Sequence, residues 1–277
     1  MWFGGICVFW KAARKIVIAA IFGVHTNAVS MKKILFLLII VVPLLSGTKP
    51  PKKILIYTHN GKGYVHDNIA PSVEALKKLC SENGYEAEST ADPSVFTTDN
   101  LKKIHCIIFS STNNEAFETE AQKQAFVAYT QNGGGFVGIH SASGSERQWP
   151  WFWAMLGGKF VRHPELQKFT VKVIDKAHPS TNHLGDSWAW EDECYFINQL
   201  NPDIHVLLAA DLTTIKDEKK LEYPGTTFGD YFPLAWYHQF DGGRQFYTSL
   251  GHKAEYYKDE KFLKHLLGGI KWSMGEK

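Results

Sequence analysis

Three short apolar runs, each breaking off into polar residues, constrain the fold of this chain more than any other feature. Lys53-Ile54-Leu55-Ile56-Tyr57-Thr58 stops at His59-Asn60-Gly61; Ile104 to Phe109 and Gly134 to Ile139 follow, and Tyr85 to Ser89 is a further strand candidate that carries Glu86 and Glu88. Runs this short with no polar face suit strands buried on both sides of a sheet. Between the first two, Ile69, Val73, Leu76 and Leu79 recur at helical spacing, and Asn83-Gly84 supplies a stop. Thr119 to Gln131 predicts a second helix with Phe126 and Tyr129 facing inward, closed by Asn132-Gly133. Strands alternating with helices in units of roughly thirty residues form βαβ units around a parallel sheet. The prediction is a three-layer, flavodoxin-like α/β fold with a mostly parallel central sheet.

The pattern changes after residue 149. Trp149 to Leu156 predicts an aromatic helical turn, Phe169 to Ile174 and Ile204 to Ala210 predict strands, and Phe262 to Trp272 predicts an amphipathic closing helix. Leu234 to Phe240 and Gln245 to Ser249, joined through Asp241-Gly242-Gly243, form a β-hairpin. Added β-structure is therefore expected between about residues 157 and 250. The Gly133-Gly134-Gly135 run precedes a strand, whereas a phosphate loop must follow a strand and open a helix, so it reads as a helix stop and close turn.

Residues 1–47 stand apart from this pattern. Met31-Lys32-Lys33, the apolar run Ile34 to Val42 and the small residues around Ser46-Gly47 form a secretory leader. Thr48 rather than cysteine follows, so no lipid anchor is expected. Residues 1–30 read as an extension ahead of the true start, residues 31–47 as the signal peptide and 48–277 as one domain, exported to the periplasm or beyond with no stable membrane anchor after cleavage. The first 47 residues carry five bases and no acid; without them 25 bases face 28 acids, and the formal charge moves from +2 to −3. Such a balance offers no field for nucleic acid. With 44% apolar residues, the composition also excludes a disordered chain. Cys80, Cys106 and Cys194 have no paired spacing and read as buried thiols.

Ligands of an open parallel sheet bind beyond the carboxyl ends of its strands. Here those positions are rich in histidine: His59 and His66-Asp67 after the first strand, His140-Ser141 after the fourth, and His252 after the hairpin. His105, His183, His205 and His265 lie elsewhere and read as structural. Gly138-Ile139-His140-Ser141-Ala142 has the layout of a nucleophile elbow with imidazole at its centre. Trp188, Trp190 and Tyr195 flank Asp192-Glu193; they either stack on a sugar ring or pack in the core, the two readings standing level. Trp149, Trp151 and Trp153 either wall the pocket or cover the sheet.

Several of these segments resemble the ThuA-like (trehalose-utilisation) family. They are Gly63-Tyr64-Val65-His66-Asp67-Asn68-Ile69, Gly134 through Ala142, Gly157-Gly158-Lys159-Phe160 leading to His163-Pro164, His178-Pro179, Asp192-Glu193-Cys194-Tyr195 and Leu250-Gly251-His252, in the family's order over about residues 52–274. The resemblance implies a variant of the class I glutamine amidotransferase fold and a role in sugar utilisation. It also brings His163 into the candidate pocket. The amidotransferase nucleophile is a cysteine at the elbow; His140 stands at that place, which argues against glutamine hydrolysis by a Cys–His pair.

The resulting expectation is an enzyme acting on a small carbohydrate or keto-sugar derivative by acid–base or hydrolytic chemistry. His66, His140, Glu193 and His252 are its catalytic candidates, and His59, Asp67, Ser141, His163, Trp188, Trp190 and Tyr195 its substrate-binding candidates. A carbohydrate-binding module and a Ser141-dependent hydrolase are the alternatives, and a homodimer is compatible with all three. No cofactor is predicted. A divalent metal on His66, His140 and His252 is ranked below metal-free chemistry, because no H-x-x-x-H spacing supports it.

Overall fold

The computed structural model describes residues 50–219 and 229–276, so the expected extension (1–30) and leader (31–47) lie outside the described residues. From Pro51 onward the chain forms one compact unit. Its first half follows the predicted alternation: β1 (Lys53–Tyr57), α1 (Ile69–Glu82), β2 (Glu86–Thr90), the short α2 (Thr98–Leu101), β3 (Cys106–Ser110), α3 (Glu120–Gln131) and β4 (Gly135–Ile139). The local signals explain the boundaries. Thr119 and Gln122 form a reciprocal capping box at the start of α3. Asn83 and Gly84, the latter at φ +76°, end α1.

Beyond β4 come α4 (Pro150–Leu156), β5 (Lys159–Arg162), β6 (Gln167–Val173), β7 (Ser187–Asp192), β8 (Phe196–Asn198), β9 (His205–Asp211), β10 (Tyr231–Phe240), β11 (Gly243–Thr248) and α5 (Glu260–Ser273). Nine strands join in one sheet in the order β2-β1-β3-β4-β11-β10-β9-β6-β7, while β5 and β8 pair separately. The strands from β2 to β11 are parallel. The added β-structure continues the same sheet with antiparallel pairs. Pro233 sits in β10, a central strand, where it cannot donate a ladder hydrogen bond; the register shifts between Pro233 and Ala235, so the bulge absorbs the missing donor.

Helices cover both faces of the parallel half. Phe126 of α3 and Phe152 of α4 pack on Phe109 and Phe136 on one face. On the other, α5 lies over β11, with the His265 ring against Phe246. Trp149, Trp151 and Trp153 are partly buried against the core and cover the sheet. The three described cysteines are free and buried, as expected.

One consequence of the strand order governs function. Because β11 returns beside β4, the segments after β1, β4 and β11 emerge at the same sheet edge, with β3 between the first two. The residues following those strands are His66, His140 and His252.

Candidate active site

His140 begins the turn that ends β4, at φ +52°. A left-handed backbone is unfavourable for a residue with a Cβ, and it persists only where its surroundings hold it. Here Nδ1 lies 2.8 Å from the Ser249 carbonyl, and the His140 carbonyl accepts from the Tyr247 hydroxyl at 2.9 Å. The turn also needs a small residue two positions earlier: a Cβ on Gly138 would stand 3.0 Å from the Tyr247 ring and 3.3 Å from Ala142 Cβ. The elbow geometry is therefore present, with imidazole in the nucleophile's place.

His66 is delivered by the loop between β1 and α1. Asn113 donates to the Tyr64 carbonyl and Asn114 to the Lys62 carbonyl, so the loop after β3 pins the loop after β1. His252 and Glu193 share one anchor, the fully buried Asp192. Its carboxylate accepts from Glu193 N–H (2.8 Å), Gly251 N–H (2.8 Å) and Trp190 Nε1–H (2.9 Å). Burial pushes the Asp192 pKa up to about 7 against these three donors. Asn68 adds a bond to the Gly251 carbonyl at 2.6 Å.

The four side chains converge. His66 Nε2 lies 3.1 Å from His140 Nε2, and His252 Nδ1 lies 3.2 Å from His140 Nε2. Glu193 Oε2 is 3.2 Å from His252 Nδ1 and 3.7 Å from His140 Nε2. All four donor atoms fall within 4.8 Å of one another. The Tyr195 hydroxyl is also 3.0 Å from His140 Nε2. With Nδ1–H given to Ser249, that nitrogen has a single lone pair, yet three polar atoms crowd it at 3.0–3.2 Å.

Two properties make the set fit a divalent cation. A tetrahedral ion with bonds of ~2.0–2.1 Å spaces its ligands by ~3.3 Å, close to the distances above. In addition, His140 gives its second nitrogen to a backbone carbonyl and His66 offers its own to Ser141 Oγ at 3.2 Å, the outer contacts that fix a ligating ring. Burial first, then the neighbouring imidazoles, hold His140 well below the usual histidine pKa. Burial likewise lowers His66 to about 4. Both rings are therefore neutral near pH 7, the state that binds a metal.

The remaining candidates divide. Ser141 and Tyr195 are in the cluster, and His163 stands at its edge with Nε2 3.6 Å from Glu193 Oε1. His59 is turned away, its Nδ1 on the Ala91 carbonyl, and Asp67 is exposed beside His66. Trp188 and Trp190 are not brought to the site: each is 7% exposed, their rings lie 4.3 Å apart, and Trp190 packs on Tyr256 and Phe262. They alternate inward along β7, so of the two readings of this segment the core strand describes them. The serine-hydrolase geometry is incomplete, because the far nitrogen of His66 faces His140 instead of a carboxylate. Sequence reasoning missed the positioning roles of Asp192 and Tyr247. No local pattern marks them, since Asp192 acts through the N–H of its own neighbour Glu193 and that of the distant Gly251.

The family model described as trehalose utilisation, ThuA, matches residues 53–273. Among solved structures, a ThuA-like protein from Bacteroides uniformis is 29% identical with a TM-score of 0.64, over 82% of this chain and 93% of that one. A ThuA-like protein from Parabacteroides merdae is 21% identical with a TM-score of 0.63, over 82% and 91%. No curated protein matches the chain.

Proposed function

Since this chain belongs to the ThuA trehalose-utilisation family, we propose that it is an exported enzyme acting on a carbohydrate or keto-sugar derivative, with a divalent cation held by His66, His140, Glu193 and His252. The observation that carries the proposal is the convergence of three imidazole nitrogens and one carboxylate oxygen from four separate parts of the chain. Metal-free acid–base chemistry ranked higher on sequence spacing alone. The donor distances favour a cation, because it satisfies together the lone pairs that otherwise crowd His140 Nε2.

Such a cation would polarise a substrate oxygen and stabilise negative charge developing on it. The chain's own groups supply the rest. Burial raises the Tyr195 pKa, so its hydroxyl stays protonated and donates a hydrogen bond into the cluster. His163, exposed beside Glu193, is placed to move a proton at the open edge. Cys194, although adjacent, is fully buried and its thiol pKa is pushed up by that burial, so it offers no nucleophile.

Elemental analysis of protein purified without added metal tests the cation: near-stoichiometric zinc or a similar divalent metal, lost in His140→Ala, is expected. Turnover of disaccharides and their keto derivatives tests the enzyme. Hydrolysis or rearrangement that vanishes in His140→Ala supports it, and turnover unchanged in that variant overturns it. The accessory-module alternative loses its aromatic platform with Trp188 and Trp190 buried. It predicts saturable sugar binding that survives the loss of His140.

A further inference from the structure

We propose that Arg147 is the oxyanion-recognition group of this site, so that the carbohydrate it takes is an acidic sugar carrying a carboxylate or a phosphate. The inference rests on the reading of the His66–His140–Glu193–His252 cluster as a reaction centre, and narrows the substrate class.

Arg147 lies just past the turn begun by His140. Its Nε–H donates to the Gly144 carbonyl at 3.0 Å and its Nη2–H to Asn113 Oδ1 at 3.3 Å. The guanidinium carbon sits 5.5 Å from the Phe160 ring centre, the Phe160 ring lies 4.4 Å from Tyr195, and the Tyr195 hydroxyl touches His140. The guanidinium is thus two aromatic rings, Phe160 and Tyr195, removed from the four-residue cluster. Asn113 also donates to the Tyr64 carbonyl, so a single amide couples Arg147 to the loop that carries His66. The residue at 144 leaves room for this contact: a Cβ there would stand 2.6 Å from Asn113 Oδ1 and 3.2 Å from Arg147 Nη2.

The acceptors that hold Arg147 are both neutral. Among the described residues it makes no ion pair, whereas Arg162 makes a bidentate pair with Asp217 at 2.8 and 3.1 Å. Only two of its five N–H groups are committed, and its orientation is fixed by two hydrogen bonds and a ring. A half-buried guanidinium oriented in advance, with its charge unmatched and donors to spare, is suited to a carboxylate or phosphoryl group presented as a fork. A purely structural tie between the loops after β3 and β4 would need no charge, since an amide or hydroxyl could bridge the same neutral acceptors.

Calorimetric titration of the full-length, metal-containing protein tests the proposal with four probes: D-glucose, D-gluconate, D-glucose 6-phosphate and inorganic phosphate. At least one acidic sugar is expected to bind about tenfold or more tightly than glucose, with the advantage shrinking at high salt. Which of the two wins identifies the oxyanion. Arg147→Leu should erase that preference while leaving glucose binding and metal content unchanged, and Arg147→Lys should restore part of it. Equal binding of glucose and both acids overturns the proposal, as does a preference that persists in Arg147→Leu. Inorganic phosphate binding as tightly as either sugar acid overturns it too, by showing a bare anion site. Should Arg147→Leu fail to fold, Arg147→Gln, which retains hydrogen-bonding capacity without charge, decides the matter. Metal content measured in parallel separates the two readings: absence of metal from the wild type strikes at the cation site, whereas loss of charge preference with metal intact strikes at Arg147.

Discussion

Replacing His252 with alanine removes one of the four donors proposed to hold a cation and leaves His66, His140 and Glu193, so it measures what a bound cation would contribute without dismantling the fold. The His252 side chain is 18% exposed and follows a glycine that Asp192 anchors independently. The cation-free variant should therefore unfold within about 3 °C of the cation-free wild type, a small change for a substitution at the rim of a site. With cation the two should separate. A ligand that binds only the native state at a thousand times its Kd stabilises by about 4.1 kcal/mol. For a body of this size each kcal/mol moves the midpoint by about 2–4 °C, and the larger domains lie at the lower end, so a rise of about 8–10 °C is expected in the wild type. Scanning calorimetry of chelated protein titrated with zinc, manganese and magnesium provides the measurement, with an imidazole-rich set expected to favour zinc. No shift with any of the three metals in the wild type would refute the reasoning. So would an equal shift in His252→Ala, which would place the cation elsewhere.

Phe126 is fully buried among Phe96, Phe109, Phe117 and Phe136, so Phe126→Ala should destabilise the fold by about 3–5 kcal/mol in urea titration while leaving the metal stoichiometry unchanged. Acid should unfold the protein through its buried neutral histidines: burial lowers His178 to about 4 and His265 to about 3 from 6.5, so their stability contribution is complete above 6.5 and is lost as the pH falls through the folded values. Asp192, raised to about 7, works in the opposite direction; the histidines outweigh it, and urea midpoints at pH 7, 5 and 4 should fall, less steeply in His265→Gln. Burial raises the Cys80 thiol to about 11 and Cys106 to about 12, so a thiol reagent should modify Cys80, Cys106 and Cys194 only on denaturation; rapid native labelling of any of the three would contradict their burial.

What was legible in the sequence follows from where the information resides. His66, His140 and His252 stood out because each lies just beyond an apolar strand, and parallel-sheet topology carries such positions to one edge whatever separates them in the chain. The elbow was legible for a similar local reason: small residues around His140 permit the left-handed turn that the backbone adopts at φ +52°. The closeness of the four donor atoms was less legible, because the usual sequence signature of a metal set is a short repeat on one helix, whereas His66, His140, Glu193 and His252 come from four segments whose meeting depends on β11 returning beside β4. Trp188 and Trp190 show the opposite limit. An aromatic segment ending in two acids suits a sugar platform or an inward-facing strand equally well, and pairing of β7 with β6, Trp190 opposite Phe169 and Trp188 opposite Val171, selects the strand. Asp192 and Arg147 were hidden for a further reason: their partners are backbone groups or a neutral amide, which leave no complementary charge for a reader of the sequence to match. A buried carboxylate that spends its hydrogen bonds on two chain segments fixes where Glu193 and His252 stand, and therefore sets the spacing of the donor cluster without touching it. The groups that position this site are thus chemically silent in sequence, whereas the groups placed to act in it are conspicuous.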